Sequence, residues 1–560
     1  LSAPGATAPA WRTPVNRALL ALALLTLLLR LATLGSYPLM DTSEARYGEI
    51  ARVMLTTGNF VTLQEVPQTP FWAKPPLYAW LSVASMRVLG TNEFALRLPS
   101  FACALVVLAL CWGWARSLGR TRGASERTGV AVLAVALLAT SVLFFVSAGA
   151  VMTDPSLAAC ITAMLAAFHH TVLAGSRRPL WRYGFFVAAG LAMLAKGPVL
   201  LLYAGAPIAL WTLWQRRVAA VWQALPWVGG TVIAALICLP WYALAEARTP
   251  GFLQYFLVGE HVMRFIQPGW GGDRYGTAHA EPLGMIWVYF AAGLGTGVVL
   301  ALAVLVAALR RPRDAARSGA AMLSGQDGAA PEPAAHQDQV PDQDLAALGA
   351  ERRFLLLSAL VPAAFFTFAG NIIWTYNLPA LGPLAVLLAD FLAPRIAAPG
   401  RWRAAVLGSV LAGALVLAVA TVFWAPRHVA AHSSAGLVAR WQEQDSEAPG
   451  QLVYLGRKTP ASLRYYSRGA VTAEPDLGLA LGCLERSADC YLALPPARLG
   501  EVNERVGQLP GDVSVQVLAT NTDLVLVRVH AASLSNRDTP RREESPPSID
   551  PRHPLDALPA

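Results

Sequence analysis

The chain has 560 residues, of which 55% are hydrophobic and 14% charged. Soluble domains carry about 25% charged residues, so this composition excludes an ordinary soluble globule. Net charge is +9, but the basic residues are mostly arginines set between apolar runs, a pattern that reports membrane topology rather than a nucleic-acid partner.

Apolar runs near 20 residues recur along the chain. Lipid offers no hydrogen-bond partners, so such runs are expected as membrane helices rather than open strands. Arg12 and Arg17 precede the first run, 18–37. That places residues 1–17 in the cytoplasm and Asp41 outside, and without a following cleavage site the run reads as a retained anchor. Arg30 interrupts it, either snorkelling outward or holding an anionic lipid group. The outer loop 38–95 contains Phe71-Trp-Ala-Lys-Pro-Pro76 and a short apolar segment, 77–89, suited to lying at the interface.

Runs at 96–114, 130–150, 156–173, 183–194, 199–214, 221–244 and 283–309 then alternate across the membrane, with clustered arginines on the inner side. A long outer loop covers 245–283. Residues 311–352, rich in Ala, Gln, Asp, Pro and Gly, read as a disordered cytoplasmic linker. Runs at 354–370, 378–392 and 404–424 complete eleven spans and a transmembrane domain over 18–424.

After Pro426 the pattern changes. Strands are expected at 451–456 and 490–494, helices at 461–467 and 497–509, and a closing strand pair at 513–519 and 524–529. This describes a small periplasmic α/β domain over 425–531, with a disordered tail at 532–560. Cys103, Cys111, Cys160 and Cys238 fall in apolar runs and read as small buried side chains. Cys483 and Cys490 lie in the polar region and could pair in an oxidising compartment, which spacing alone does not show.

The outer side collects the groups capable of chemistry: Asp41, Glu44, Arg46, Tyr47, Lys74, Asp154, Lys196, the segment 260–281, and Trp374-Thr-Tyr376. A bland reading has Asp41 capping a helix with Glu44 at the capping-box position. The functional reading takes Asp41, Glu44 and Asp154 as catalytic carboxylates, because polar groups gather on one face as a site open to bilayer and periplasm requires. Only three of the 44 basic residues are lysine, and two of them, Lys74 and Lys196, stand at outer turns. A compact ammonium suits a phosphate held without bidentate geometry; an interfacial lysine gives the same signature.

In the loop 245–283, His261 and Arg264 at i and i+3 can share a helix face. Arg264 fits a phosphate contact, while His261, Tyr47 and Tyr376 fit substrate contacts. A metal held by His261, His279 and Glu281 lacks any tight ligand spacing, so no metal site is assigned. No Walker loop, nucleophile elbow or Rossmann fingerprint stands in a suitable context, which disfavours nucleotide-sugar chemistry. A lipid-carried donor is more natural for an outward-facing site.

The ordered set Asp41-Thr-Ser-Glu-Ala-Arg-Tyr-Gly-Glu, Lys74-Pro-Pro-Leu, Met152-Thr-Asp154-Pro, Leu194-Ala-Lys196-Gly-Pro, His261-Val-Met-Arg264-Phe and Thr375-Tyr376-Asn-Leu-Pro resembles the polyprenyl-phosphate-dependent GT-C glycosyltransferases. The similarity is greatest to the lipid A aminoarabinose transferase and protein mannosyltransferase branches. The resemblance implies a polytopic α-helical fold of about 11–13 membrane helices and inverting transfer from an undecaprenyl-phosphate sugar to a lipid, glycan or protein acceptor at the periplasmic face of the inner membrane. It also implies that Asp41 is the catalytic carboxylate, that Lys74 and Arg264 neutralise the leaving phosphate, that Asp154 orients groups near the donor, and that Tyr376 lines the site. Members often read Phe-Glu-Lys-Pro-Pro, whereas Ala73 precedes Lys74 here. A carboxylate is missing at that point, which bears both on a metal there and on an amine-bearing donor. No cofactor follows from the sequence beyond the option of a divalent cation. The expected partners are the lipid-linked donor, the acceptor and membrane lipids. The competing reading is a flippase of lipid-linked sugars, disfavoured because no internal repeat with broken helices is visible.

Overall fold

The computed structural model describes residues 13–41, 43–119, 122–267, 270–275, 281–324, 342–444, 450–485 and 487–532. The chain divides into two units, one of residues 1–435 with 460–469, the other of 436–459 with 470–560.

The first unit is helical apart from one small hairpin among its described residues, because segments this apolar satisfy their backbone only within themselves in lipid. In chain order its first helices are α1 (Pro14–Ala32), α2 (Ser43–Thr57), α3 (Leu77–Leu89), α4 (Glu93–Ser117), α5 (Ala124–Ala139), α6 (Val142–Ser147), α7 (Asp154–Phe168), α8 (Pro179–Lys196), α9 (Ala206–Trp214), α10 (Val218–Ala224) and α11 (Trp227–Arg248). A small hairpin of β1 (Gln64–Val66) and β2 (Thr69–Pro70) precedes α3. The loop expected after residue 244 is largely helical: α12 (Phe252–Gln254) and α13 (Arg264–Ile266) flank a π-helix, Tyr255–Met263. Next come α14 (Met285–Leu294), α15 (Gly297–Ser324), α16 (Asp342–Phe366), α17 (Leu378–Ile396), α18 (Arg401–Val419) and α19 (Ala425–Ala431).

Every apolar run read as a span is helical. Among the described residues, six helices are long and apolar enough to cross a membrane, or seven counting the pair α14 and α15, bent by 110°. The other runs are shorter or split, as where the π-turn Leu201–Gly205 leads into α9. Helix covers 297–324 and begins again at 342, so of the linker expected at 311–352 only 325–341 lies outside the described residues. The tail at 533–560 also lies outside them.

Arg30 takes neither of its expected roles. It is buried and donates to the Tyr37 hydroxyl at 2.6 Å and the Val146 carbonyl at 3.0 Å. Gly149 makes room for it, since a Cβ there would sit 2.2 Å from the guanidinium.

The expected boundary at residue 425 moves to 435, because α18 continues through the π-turn Ala420–Trp424 into α19. The second unit begins with α20 (Ala435–Gln444) and contains β3 (Leu452–Leu455), β4 (Thr472–Glu474), β5 (Asp489–Leu494), β6 (Val513–Thr520) and β7 (Val525–Ala531). The sheet order is β4-β3-β5-β7-β6; β3 runs parallel to β4 and β5, and the β5–β7 and β7–β6 pairs are antiparallel. Cys483 and Cys490 form a disulfide, next to the core of Val453, Leu492, Val502 and Val527. The remaining helices are α21 (Ala461–Tyr466), α22 (Leu477–Ala480) and α23 (Leu499–Gly507). Of these, α21 belongs to the first unit.

Candidate active site

A cavity of about 310 Å³ opens in the first unit, with Lys74, Lys196, Arg264, Glu260, His261 and Tyr376 among its lining residues. Four stretches far apart in sequence deliver these side chains. On one side α8 ends at Lys196, and Gly197 turns the chain with φ +82°. A Cβ at Gly197 would stand 2.5 Å from the ring of Phe256 and 3.3 Å from the ring of His261, so both its conformation and its surroundings demand glycine. The Lys196 ammonium meets Asp154, the first residue of α7, at 2.6 Å and lies 4.9 Å from the centre of the Tyr376 ring. Tyr203 fixes that neighbourhood by donating to the Tyr376 carbonyl at 2.7 Å.

Lys74 enters from the opposite side on a strapped segment. Trp72 donates its backbone N–H to the Tyr275 hydroxyl at 3.0 Å and its indole N–H to Thr249 at 3.1 Å, while Tyr275 donates to the Pro70 carbonyl. Pro75 and Pro76 then stiffen the entry to α3. The Lys74 ammonium donates to the Ala73 carbonyl at 2.7 Å and to Glu260 at 3.0 Å.

The π-helix supplies the third side. Its wider turn carries Glu260 and His261, with Arg264 directly after it; π segments often sit at functional sites. Arg264 binds the same Glu260 oxygen at 2.9 Å and lies 3.3 Å from Asp273. Glu260 thus bridges two cations. Burial pushes its carboxyl up, but Lys74 and Arg264 outweigh burial and hold it below the ordinary carboxylate value. For Lys74 burial works downward, and Glu260, helped by Tyr47, overcomes it and holds the ammonium above its ordinary value. His261 directs Nδ1 to the Phe256 carbonyl at 2.7 Å and Nε2 to the Lys196 carbonyl at 3.2 Å. Burial lowers its pKa, and Lys74 adds to the effect against the pull of the two carbonyls.

The remaining expected residues lie elsewhere. Glu44 does not serve with Asp41 as a capping pair. It forms a two-pronged ion pair with Arg97 at 2.7 and 2.8 Å and accepts from the N–H groups of Met40 and Val151. Burial raises the Glu44 carboxyl, but Arg97 and those N–H groups bring it below the usual value. Arg97, fully buried in the second turn of α4, also donates to the carbonyls of Leu34, Tyr37 and Pro38. Glu44 thus anchors the stretch 34–44 and is not among the lining residues of the cavity. Asp41 caps α21: its carboxylate accepts from the backbone N–H of Ser462 at 2.9 Å and from the Ser462 hydroxyl. Neither Asp41 nor Tyr47 is among the lining residues. Tyr47 packs edge-on against Phe71, with ring centres 6.5 Å apart.

The lining does not suit a divalent cation. Glu260 is already shared by two cations, both His261 nitrogens face carbonyls, and no group of three His, Cys, Asp or Glu side chains gathers at metal distance among the described residues. His279 lies outside them, and Glu281 accepts from the Tyr289 hydroxyl at 2.7 Å. Sequence reasoning missed Glu260 and Arg97 as key groups; the Gly-Glu-His run before Arg264 was the available signal for the first.

Residues 15–256 match the family model for dolichyl-phosphate-mannose-protein mannosyltransferase. The crystal structure of ArnT from Cupriavidus metallidurans bound to undecaprenyl phosphate superposes with a TM-score of 0.68 at 18% identity, covering 92% of this chain and 98% of that one. The fold is GT-C. The resemblance to polyprenyl-phosphate-dependent GT-C glycosyltransferases is borne out in sequence as well. The undecaprenyl phosphate-alpha-4-amino-4-deoxy-L-arabinose arabinosyl transferase of Pseudomonas aeruginosa is 27% identical over 372 residues, 65% of this chain and 58% of that protein. Its counterpart in Pectobacterium carotovorum is 29% identical over 398 residues, 69% and 62% of the two chains. This GT-C chain thus spans less than two thirds of the length of those curated relatives.

Proposed function

We propose that this multi-pass membrane protein is an inverting glycosyltransferase. In this reading it moves a sugar from an undecaprenyl-phosphate donor to a lipid A, glycan or protein acceptor at the periplasmic face of the bacterial inner membrane. The observation that carries the reading is the convergence of Lys74, Arg264 and Lys196 on one cavity whose remaining wall includes Phe265, Phe365, Phe366 and Leu201. Cations together with aromatic and aliphatic side chains in one lining match a phosphate joined to a prenyl chain. The arabinosyl transferase relatives, whose donors are lipid-carried, support the same class.

In the proposed step the acceptor oxygen attacks the anomeric carbon from the face opposite the phosphate. The sugar–phosphate C–O bond breaks and its electron pair passes to the phosphate. Lys74 and Arg264 would stabilise the charge that grows there, and they do so best in a poorly hydrated site. Because Glu260 holds both cations in place beforehand, the donor phosphate takes over ammonium and guanidinium N–H groups that are already oriented. Asp154 positions Lys196. Asp41, oriented by Ser462, would accept the proton of a hydroxyl acceptor; an acceptor that is already an anionic phosphate needs no base, and Asp41 then orients it.

The test is transfer of labelled sugar in membranes lacking the chromosomal copy, comparing the intact chain with Lys74→Ala and Arg264→Ala at equal abundance. Each variant is expected to lose about 10²–10³-fold in rate, the scale for removing one transition-state charge donor, with lipid-linked donor accumulating outside. Unchanged transfer in both would refute the site. Donor trapped on the inner leaflet would favour the flippase reading.

A further inference from the structure

A second cavity, of about 510 Å³, lies at the opposite end of α8, with Arg127, Arg178, Ser176, His170 and Trp181 among its lining residues. With 18 residues, α8 spans about 27 Å, close to the roughly 30 Å hydrocarbon thickness of a bilayer. The helix Asp154–Leu173, one of the six of membrane-spanning length, joins the two: Asp154 at its start pairs with Lys196 of the first cavity and His170 near its end lines the second, so the two cavities belong to opposite ends of one span.

The charge pattern here differs from that of the first cavity. No Asp or Glu is among the lining residues. Two arginines elsewhere at this end are neutralised, since Arg122 and Arg352 share Asp390 and Arg122 also meets Glu126 at 3.1 Å. Arg127 and Arg178 have no carboxylate partner among the described residues. Ordinary inner-loop arginines explain a positive surface, but not a concave, acid-free site with an unpartnered polar atom on a lining residue.

Such an atom is present. The Nε2 of His170 is buried without a hydrogen-bond partner, and an unsatisfied buried polar atom carries a cost that a ligand would remove. The His170 ring is stacked on Trp181 at 4.1 Å between centres. It sits in the π-turn His169–Leu173 that ends α7, and the chain is then folded back by Ser176 N–H donating to the His170 carbonyl at 2.8 Å. The Ser176 oxygen accepts from the Arg178 N–H at 3.4 Å, which leaves its hydroxyl proton to donate.

Two guanidiniums, an imidazole N–H and a hydroxyl around an acid-free hollow describe a phosphate site. Leu180, between Arg178 and Trp181 in sequence, is 70% exposed, so apolar surface for an acyl chain adjoins the cations. We propose that this cavity binds the phosphate headgroup of an anionic membrane lipid in the leaflet opposite the transfer cavity. Basic pockets between membrane helices recognise such headgroups by the same chemistry.

The test uses the full chain purified in detergent, with native mass spectrometry read against titrated phosphatidylglycerol. Phosphatidylcholine of the same chain length and inorganic phosphate are the comparators. The intact protein is expected to retain one phosphatidylglycerol in preference to phosphatidylcholine. The double variant Arg127→Ala/Arg178→Ala should bind it about 30-fold more weakly, at roughly fivefold per arginine, while Arg217→Ala leaves affinity unchanged. His170→Phe, which keeps an aromatic ring for the stack and removes the nitrogens, should weaken retention without altering surface charge at neutral pH. Equal retention by the intact chain and the double variant, at matched melting temperature in lipid-free detergent, would overturn the proposal. So would direct binding of inorganic phosphate that displaces the lipid, which would assign the cavity to a soluble phosphate.

Discussion

Glu260 holds the two cations that a donor phosphate would also seek, and its removal should separate stability from binding. Glu260→Gln leaves Lys74 and Arg264 without their shared carboxylate. Breaking a buried pair in this way costs about 3–5 kcal/mol, so the melting temperature without ligand should fall. Undecaprenyl phosphate should then raise it by more than in the intact chain; an equal or smaller rise would contradict the exchange of Glu260 for phosphate. The pH dependence follows from the same pair. The Glu260 carboxyl is lowered from 4.5, so its contribution is present above that value and is lost as pH falls through its depressed pKa. The Lys74 ammonium is raised from 10.5, so its contribution is present below that value and is lost as pH rises through its elevated pKa. His261, lowered from 6.5, is buried neutral and begins to cost stability as pH falls below that value. Ligand-induced stabilisation should therefore be flat from about pH 7 to 9, as thermal melts across that range would show. The scarcity of lysine made Lys74 and Lys196 legible in the sequence. Glu260 and Arg97 were not, because an acid in a presumed loop reads as solvated and an arginine beside an apolar run reads as topological. Only their partners, distant in sequence, reveal them.

Elements position these residues, and two contacts between elements carry measurable consequences. Gly197 joins the end of α8 to the cavity at φ +82°, with Phe256 of the π-helix where a Cβ would go. Gly197→Ala pays for a strained conformation, about 1–3 kcal/mol, and pushes on the segment that carries Glu260 and His261. Transfer should fall even in a preparation whose helix content by circular dichroism is unchanged; full activity would mean that Phe256 yields without moving the site. Ser462 of α21 donates twice to Asp41, so Ser462→Ala should cost about 1.5–3 kcal/mol, the range for hydrogen bonds to a charged group, measured as a loss in denaturant stability. The helices themselves were readable from apolar periodicity and arginine spacing. The π-helix was not, since nine residues with a single polar pair carry no period that separates π from α winding or from a loop. The bland reading of Asp41 places it as a cap on the helix that follows it, whereas its carboxylate meets Ser462, more than 400 positions along the chain, a pairing that only the tertiary structure supplies.

At the scale of the molecule, β3, β5, β6 and β7 of the second unit were legible because alternating Val, Leu and Tyr with turn residues give β-structure a clear period, whereas the edge strand β4, three residues long, was not expected. The allocation of the segment 460–469 to the first unit was not, since a short helix ending in Tyr465-Tyr466 does not declare which core it joins. That allocation has a consequence for dissection. A chain ending after Ala435 keeps the membrane helices but loses Ser462 from Asp41, Arg464 from Glu65, and Tyr466 from both Glu93 and the Leu39 N–H. It also uncovers the surface beside Gly48 that the Tyr465 ring covers. The truncated protein should therefore show faster amide hydrogen exchange over residues 38–48, because local opening there is opposed by these contacts. Reducing the Cys483–Cys490 disulfide is a different perturbation: it relaxes a closed loop next to the core of the second unit, so the exchange it raises should be confined to 470–532. Exchange over 38–48 that is unchanged by truncation would mean that α21 contributes no stability to the stretch holding Asp41. The GT-C portion could then be studied without the chain that follows it; the contacts of Ser462 and Tyr466 argue that it cannot.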